Sequence, residues 1–146
     1  MATFNKLNGF VEHLAEKVHN LGSDVLTIAL SNTAPGSEGT PPTGSTAACI
    51  LANVTQIAYT NLSSRVITTT SSAQTAGTYK LTLTDLTLTA TGAVGPFRYV
   101  YIYNDTATTP ADALIGYYDY GSSISLATGE SLTINFDDAN GVLTLA

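Results

Sequence analysis

The chain has 146 residues, a net charge of −6 and only five Lys or Arg residues. This length predicts a single domain that can bury a core without metals or disulfides. Five cations are too few to cover a phosphate backbone or to dock on an anionic membrane, so we expect neither nucleic acid nor membrane as a partner. The single cysteine, Cys49, excludes an internal disulfide and is expected to be a small buried hydrophobe.

The amino-terminal segment, residues 1–22, is predicted to form an amphipathic helix. Its apolar residues recur in steps of three and four, which places them on one stripe, and Gly22 follows the last of them. The stripe has no continuous apolar run, so we expect neither a signal peptide nor a membrane span. The stripe would pack across a sheet or dock on a neighbouring subunit. It consists of Phe4, Leu7, Val11, Leu14, Val18 and Leu21.

The remainder, residues 23–146, is predicted to be an antiparallel β-sandwich or jelly-roll-like fold. Residues 24–31 alternate as a strand, and from Arg65 onward eight or nine short strands are separated by turn signals. A long Pro/Gly/Ser-rich loop is expected around residues 32–48, and residues 49–58 fit either a short helix or an irregular turn. "DTATTPADA", residues 105–113, is expected to be an exposed loop.

Motifs for catalysis or metal binding are not recognised in the sequence. His13 and His19 lie six residues apart on the predicted helix, which places them on different faces, and we expect them to be solvated. No nucleophile elbow, P-loop or dinucleotide fingerprint occurs, and Asp137–Asp138 with the following "ANG" fits a hairpin turn better than a calcium loop. The sequence therefore predicts a non-enzymatic protein without metal or cofactor.

Aromatic residues concentrate in "GPFRYVYIYND", residues 95–105, and in the strand that follows it. Period-two alternation predicts that the aromatic residues of the first stretch share one face, while Val100 and Ile102 share the other. Three interpretations stay open: a core or helix-covered face, a protein interface, or a ligand surface. We predict a partner interface formed by Phe97, Tyr99, Tyr101, Tyr103, Tyr117, Tyr118 and Tyr120.

Three segments of the sequence resemble those of a known class of proteins. They are "ATFNKLNGFVEHLAEKVHNLGSD" near the start, "GPFRYVYIYNDT" in the middle and "LIGYYDYGSSISLATGESLTINFDDANGVLTLA" at the end. Together they resemble small virion structural proteins of tailed bacteriophages, in particular the cement or decoration proteins that coat a capsid.

That resemblance implies a β-sandwich or jelly-roll module that binds the major capsid protein and copies of itself, as a dimer or trimer, with no catalysis and no cofactor. It further implies synthesis in a bacterial host cytoplasm and a final location on the capsid exterior. Two alternatives remain at this point: a tail or neck component of the same kind of virion, and a carbohydrate-binding β-sandwich module.

Overall fold

A computed structural model describes residues 2–36 and 49–146 of the chain. Strands account for 53% and helices for 8%, the sheets are antiparallel, and one short helix lies near the amino terminus. The predicted mainly β fold with an amino-terminal helix is therefore confirmed. Most of the loop predicted around residues 32–48 lies outside the described residues.

Ten strands and one α-helix follow one another in the described part of the chain, with a 3₁₀ turn at Leu51–Asn53. The 3₁₀ turn lies in the segment for which the sequence left a short helix and an irregular turn open. In chain order the elements are β1 (Phe4–Lys6), α1 (Asn8–Ala15), β2 (Leu26–Ser31), β3 (Val66–Ile67), β4 (Thr69–Thr75), β5 (Thr78–Leu83), β6 (Leu86–Thr89), β7 (Val94–Thr108), β8 (Ala111–Leu126), β9 (Ser131–Ile134) and β10 (Leu143–Leu145).

The strands form three antiparallel sheets, with the orders β1-β8-β7-β2-β3, β10-β5-β4 and β6-β9. Residues 66–75 pass from the first sheet to the second, because β3 pairs with β2 whereas β4 pairs with β5. Buried apolar side chains from all three sheets meet in one main core, which gives a sandwich-like arrangement. Its largest fully buried members are Phe10, Leu26, Ile28, Leu30, Leu81, Leu83, Leu88, Phe97, Ile102 and Phe136.

The helix is much shorter than the predicted span of residues 1–22. Residues 4–6 instead form β1, which pairs with β8 through Phe4 and Tyr118. The helix ends in a Schellman motif: Val18 N–H donates to the carbonyl of His13, and Lys17 takes the left-handed conformation at φ 66°. The predicted stripe was therefore wrong in part, since Val11 is exposed and Phe10 is fully buried.

The β7–β8 hairpin is longer than the sequence predicts. Residues 105–113, expected to form a loop, belong largely to the two strands, which are joined by a turn at residues 109–110. The side-chain oxygen of Asn104 accepts hydrogen bonds from the N–H groups of Thr106 and Ala107, at 3.0 and 3.1 Å. These bonds satisfy the backbone where the ladder register shifts, so the β-prone threonines continue the strand.

Close packing of β1 on β8 depends on Gly116. A Cβ atom at this position would lie 2.6 Å from the carbonyl oxygen of Asn5 and would overlap the ring of Phe4. We expect Gly116→Ala to lower the free energy of unfolding by about 1–3 kcal/mol, because β1 must move away from β8. Urea unfolding measures the change, and Gly22→Ala is the control because its Cβ would meet only ordinary contacts of 3.4 Å or more. Equal effects of the two substitutions would contradict this account.

Candidate functional site

The side chains of β7 do not alternate between its two faces along the whole strand. Val100 and Ile102 lie in the main core, as their period predicts, but Phe97 joins them there. Tyr99 and Tyr101 lie on the opposite face. The pairing of β7 with β8 shifts register between Phe97 and Tyr99, so the phase of the strand changes at this point. The prediction that all four aromatic residues share one face was therefore wrong for Phe97.

The other three aromatic residues of β7, all tyrosines, belong to a second core, here called the tyrosine core. The described chain buries Tyr99, Tyr101 and Tyr103 almost completely. Leu7, directly before the helix, and the segment around the 3₁₀ turn cover these rings. The buried members of the tyrosine core are Leu7, Ala29, Cys49, Val54, Tyr99, Tyr101, Tyr103 and Leu114.

Backbone contacts hold this cover in place. The carbonyl of Cys49 accepts a hydrogen bond from Leu114 N–H at 2.9 Å, and Ile50 forms an isolated bridge with Ala113. The segment that begins at Cys49 is therefore docked along β8 beside the tyrosine face. Cys49 itself is fully buried, which confirms the expectation for this residue. Burial also raises the pKa of its thiol, so the thiolate form is disfavoured.

The tyrosine rings pack on one another and on Tyr117. Tyr101 and Tyr117 have ring centroids 5.6 Å apart, and Tyr99 meets Tyr117 edge-to-face at 6.3 Å. The hydroxyl of Tyr101 is buried without a hydrogen-bond partner among the described residues. Burial raises the pKa of Tyr101 far above its usual range, so its hydroxyl stays protonated. This cluster has the character of a packed core.

The two remaining tyrosines of the predicted interface lie on the other face of β8. Tyr118 is buried between Phe4 and Phe136, with ring centroids 5.3 and 6.1 Å away. Tyr120 exposes 53% of its surface and stands beside a surface cleft of about 180 Å³. This cleft, called the Tyr120 cleft below, is lined by Ala2, Val100, Tyr118, Tyr120, Leu132, Thr133, Ile134 and Asn135.

The seven residues of the predicted partner interface thus separate into three groups. Phe97 and Tyr118 lie in the main core and the three β7 tyrosines in the tyrosine core, so their rings are covered by this chain itself. Tyr117 is half-buried. Tyr120 is the one member with a largely exposed ring. An interface through these residues stays a prediction, and on the described chain it narrows to Tyr120 and part of Tyr117.

Arg98 on β7 and Asp119 on β8 form an ion pair within the first sheet. The guanidinium of Arg98 donates two hydrogen bonds to the Asp119 carboxylate, at 2.7 and 2.8 Å. These bonds hold the pKa of Asp119 below its usual range. Both side chains are about a third exposed, so the pair orients the strand surface and contributes little stability.

The two histidines are buried rather than solvated, which corrects the sequence prediction. The chain turns back after Lys17, so His19 packs against Phe10 at 5.1 Å and against His13 at 5.9 Å between ring centroids. The Asn104 amide nitrogen lies 3.2 Å from His19 Nδ1. His13 Nδ1 and His19 Nε2 have no hydrogen-bond partner in the described chain. Burial lowers the pKa of His19 to about 4 and also lowers that of His13.

Residues 2–36 and 49–146 contain no group of three or more His, Cys, Asp or Glu side chains that could hold a metal ion. Among the same residues, no helix is both long and apolar enough to cross a membrane.

Comparison with family models, curated proteins and solved structures finds no match to this chain.

Proposed function

We propose that this protein binds the outer surface of a tailed-phage capsid and stabilises the assembled shell, as cement or decoration proteins do. The sequence phrases quoted above suggest this class. The observation that carries the proposal is the exposed ring of Tyr120 beside an apolar cleft. Exposed aromatic rings next to apolar depressions are typical anchors of protein interfaces.

The surface next to the Tyr120 cleft suits a protein partner. The β6–β9 sheet carries rows of hydroxyl groups, in which Thr87 bonds Thr133 and Thr89 bonds Ser131, each at 2.9 Å. Neither strand contains a charged residue. A neutral hydroxyl surface beside an apolar cleft is compatible with an interface that has an apolar core and a polar rim.

The mechanism is linkage between binding and assembly. A protein that binds the assembled lattice better than free capsid subunits shifts the equilibrium towards the shell. Repetition of one modest contact over a symmetric lattice supplies avidity without a large individual interface. The other interpretation of the tyrosines, a sugar-binding platform, has less support, because the rings of the tyrosine core are covered by the chain itself.

The proposal is tested with capsids from which the protein has been removed. Adding back the purified chain is expected to restore binding, seen by co-sedimentation, and to raise the temperature at which the shells disrupt. Tails purified from the same virions serve as the comparison surface. Binding to tails alone would move the proposal to the tail or neck, and binding to neither would overturn it.

Tyr120→Ala is expected to weaken capsid binding by about tenfold or more, since an aromatic anchor typically contributes more than 1 kcal/mol. The free energy of unfolding should stay within about 0.5 kcal/mol of the wild-type value, because the ring is exposed. Val66→Ala is the matched control: Val66 is also exposed but lies on β3, at the edge of the first sheet opposite β1. Isothermal titration with stripped capsids measures the affinity of each variant. Equal losses of affinity for Tyr120→Ala and Val66→Ala would count against the cleft.

A further inference from the structure

The outer edge of β4 differs from the other strand edges of this protein. β4 lies at one end of the three-stranded sheet, and within the described chain β5 is the only strand that pairs with it. β4 has seven residues, whereas β1 and β10 have three each, β3 has two, and β6 and β9 have four each. β4 is therefore the longest strand with a free edge in the described part of the chain.

This edge also lacks the features that usually prevent strand pairing between molecules. Natural edge strands are interrupted by charged residues, prolines or bulges. β4 reads TTSSAQT, with no charge and no proline, and its residues are exposed apart from the half-buried Thr69 and Ser72. A register shift occurs between Thr69 and Ser71, so the bulge affects only the beginning of the strand. Residues 71–75 form a regular, uncharged edge that is exposed except at the half-buried Ser72.

The hydrogen-bonding groups of this edge can be assigned from the ladder. β4 and β5 are joined by a two-residue turn, Ala76–Gly77, with φ values of 51° and 85° as in a type I′ turn. In such a hairpin the flanking residues, Thr75 and Thr78, exchange hydrogen bonds, and bonded pairs then alternate with non-bonded pairs. The pairs Gln74–Tyr79 and Ser72–Leu81 are therefore non-bonded.

An independent contact agrees with this assignment. The carbonyl of Leu81 accepts a hydrogen bond from Val142 N–H at 2.9 Å, on the β10 side of β5. Leu81 therefore directs its backbone groups away from β4, and Ser72 opposite it directs its own groups away from β5. Gln74, two residues along, does the same. The side chains of these residues are already engaged, since Ser72 Oγ bonds the Tyr79 hydroxyl and Gln74 Oε1 accepts from Gly77 N–H.

We propose that this edge pairs with the same edge of a second copy of the chain, antiparallel around a twofold axis at Ala73. In this register Ser72 of each copy faces Gln74 of the other, and the two bonded pairs exchange four backbone hydrogen bonds. The small, exposed Ala73 faces its own counterpart. The three-stranded sheet then becomes a continuous six-stranded sheet, β10-β5-β4-β4-β5-β10.

Charge favours a second copy at this edge over other surfaces of the protein. Each chain carries a net charge of −6, so two copies repel one another over most approaches. The β4 edge brings no charged residue of its own to the contact. Lys80, which pairs with Ala73 across the hairpin, donates from its ammonium to the carbonyl of Ala139 at 3.1 Å. The self-complementary register and the uncharged edge together identify the occupant as this chain itself.

The pairing is tested by charge exchange at Ala73. Because the two Ala73 side chains face each other in a non-bonded pair, Ala73→Lys and Ala73→Glu each place like charges opposite one another. Sedimentation of the wild-type chain should show a reversible dimer in the range of about 1–100 µM. Each variant alone is expected to dimerise at least about tenfold more weakly, and an equimolar mixture should recover a heterodimer.

Thr75→Lys is the control, because in this register residue 75 faces Ser71 of the other copy and not its own counterpart. It carries the same added charge at the same edge, and its dimer should weaken less than that of Ala73→Lys. Recovery in the mixture also shows that both Ala73 variants are folded. A wild-type monomer up to about 500 µM, or a mixture of variants that stays monomeric, would overturn the proposal.

This dimer is independent of the proposed function. A chain that dimerises through β4 but binds no capsid would leave the dimer intact and contradict only the capsid proposal. Conversely, capsid binding by a strictly monomeric chain would contradict only the dimer.

Discussion

Tyr101→Ala is expected to lower the free energy of unfolding by about 3–5 kcal/mol, the usual cost of removing a fully buried aromatic ring. Tyr101→Phe is expected to raise it by about 1 kcal/mol. The reason is that the buried hydroxyl of Tyr101 has no hydrogen-bond partner among the described residues, and phenylalanine removes this uncompensated group while keeping the ring. Urea unfolding at neutral pH measures both changes.

Tyr59→Phe is the matched control, because it makes the same chemical change at a satisfied hydroxyl. Leu30 N–H donates to the Tyr59 hydroxyl at 2.8 Å, and this hydroxyl lies 3.0 Å from Gln56 Oε1. Its loss should lower the free energy of unfolding by about 1–2 kcal/mol. Opposite signs for the two Tyr→Phe substitutions are the expected signature. A Tyr101→Ala variant as stable as the wild type would mean that the tyrosine face is not a core.

Acid is expected to destabilise the fold through His19. The folded chain holds the pKa of His19 at about 4, against an ordinary value of 6.5, because burial disfavours the charged ring. Between these two values the unfolded chain binds the proton and the folded chain does not. The free energy of unfolding should therefore fall as the pH is lowered from about 6.5 to 4, by up to about 3 kcal/mol. Above pH 6.5 this contribution is constant.

Other charges near the histidines change the size of this effect but not its sign. Asp24 favours protonated His19, while His13 opposes it. Glu12 and Glu16 favour protonated His13, whose pKa is nevertheless lowered by burial. Both histidines therefore destabilise the fold in the same direction on acidification.

His19→Gln is expected to flatten the pH dependence between pH 4.5 and 6.5. Glutamine does not titrate, and its amide can still meet the Asn104 side chain. Urea unfolding at several pH values compares the two slopes, and His13→Gln is expected to have a smaller effect because the lowering of its pKa is opposed by two carboxylates. Groups far from residue 19 contribute alike to both proteins, so their contributions cancel when the two slopes are compared. Parallel curves for the wild type and His19→Gln would contradict a titrating buried His19.

Much of the sheet structure could be predicted from the sequence, because side-chain alternation and turn residues are local signals. Val100 and Ile102 lie in the main core, as their period predicted. Phe97 could not be assigned correctly, because the register shift that moves it to the same core is set by pairing with β8. A period of two predicts faces only while the ladder remains regular.

The amino-terminal segment illustrates a second limit. Its spacing of three and four fits a long helix, but residues 4–6 satisfy their backbone by pairing with β8, a partner more than a hundred residues away. The turn at Lys17 then brings His19 back against the helix, so the two histidines meet although their spacing places them on different helical faces. Such burial depends on tertiary packing and leaves no local signal.

Prediction of the candidate site from the sequence was limited in the same way. The sequence singled out aromatic residues in β7 and β8, but it left core, interface and ligand surface open for them. Burial distinguishes Tyr120 from the others, and burial depends on the segment from Cys49 onward that covers the tyrosine core. Nothing in the alternation itself identifies that cover.

Electron microscopy of virions that carry a tagged copy of this protein tests the proposed function most directly. Gold labels attached to the tag are expected to decorate the capsid exterior at regular lattice positions and to be absent from the tail. Labels confined to the tail or neck, or virions without any label, would contradict a role on the capsid.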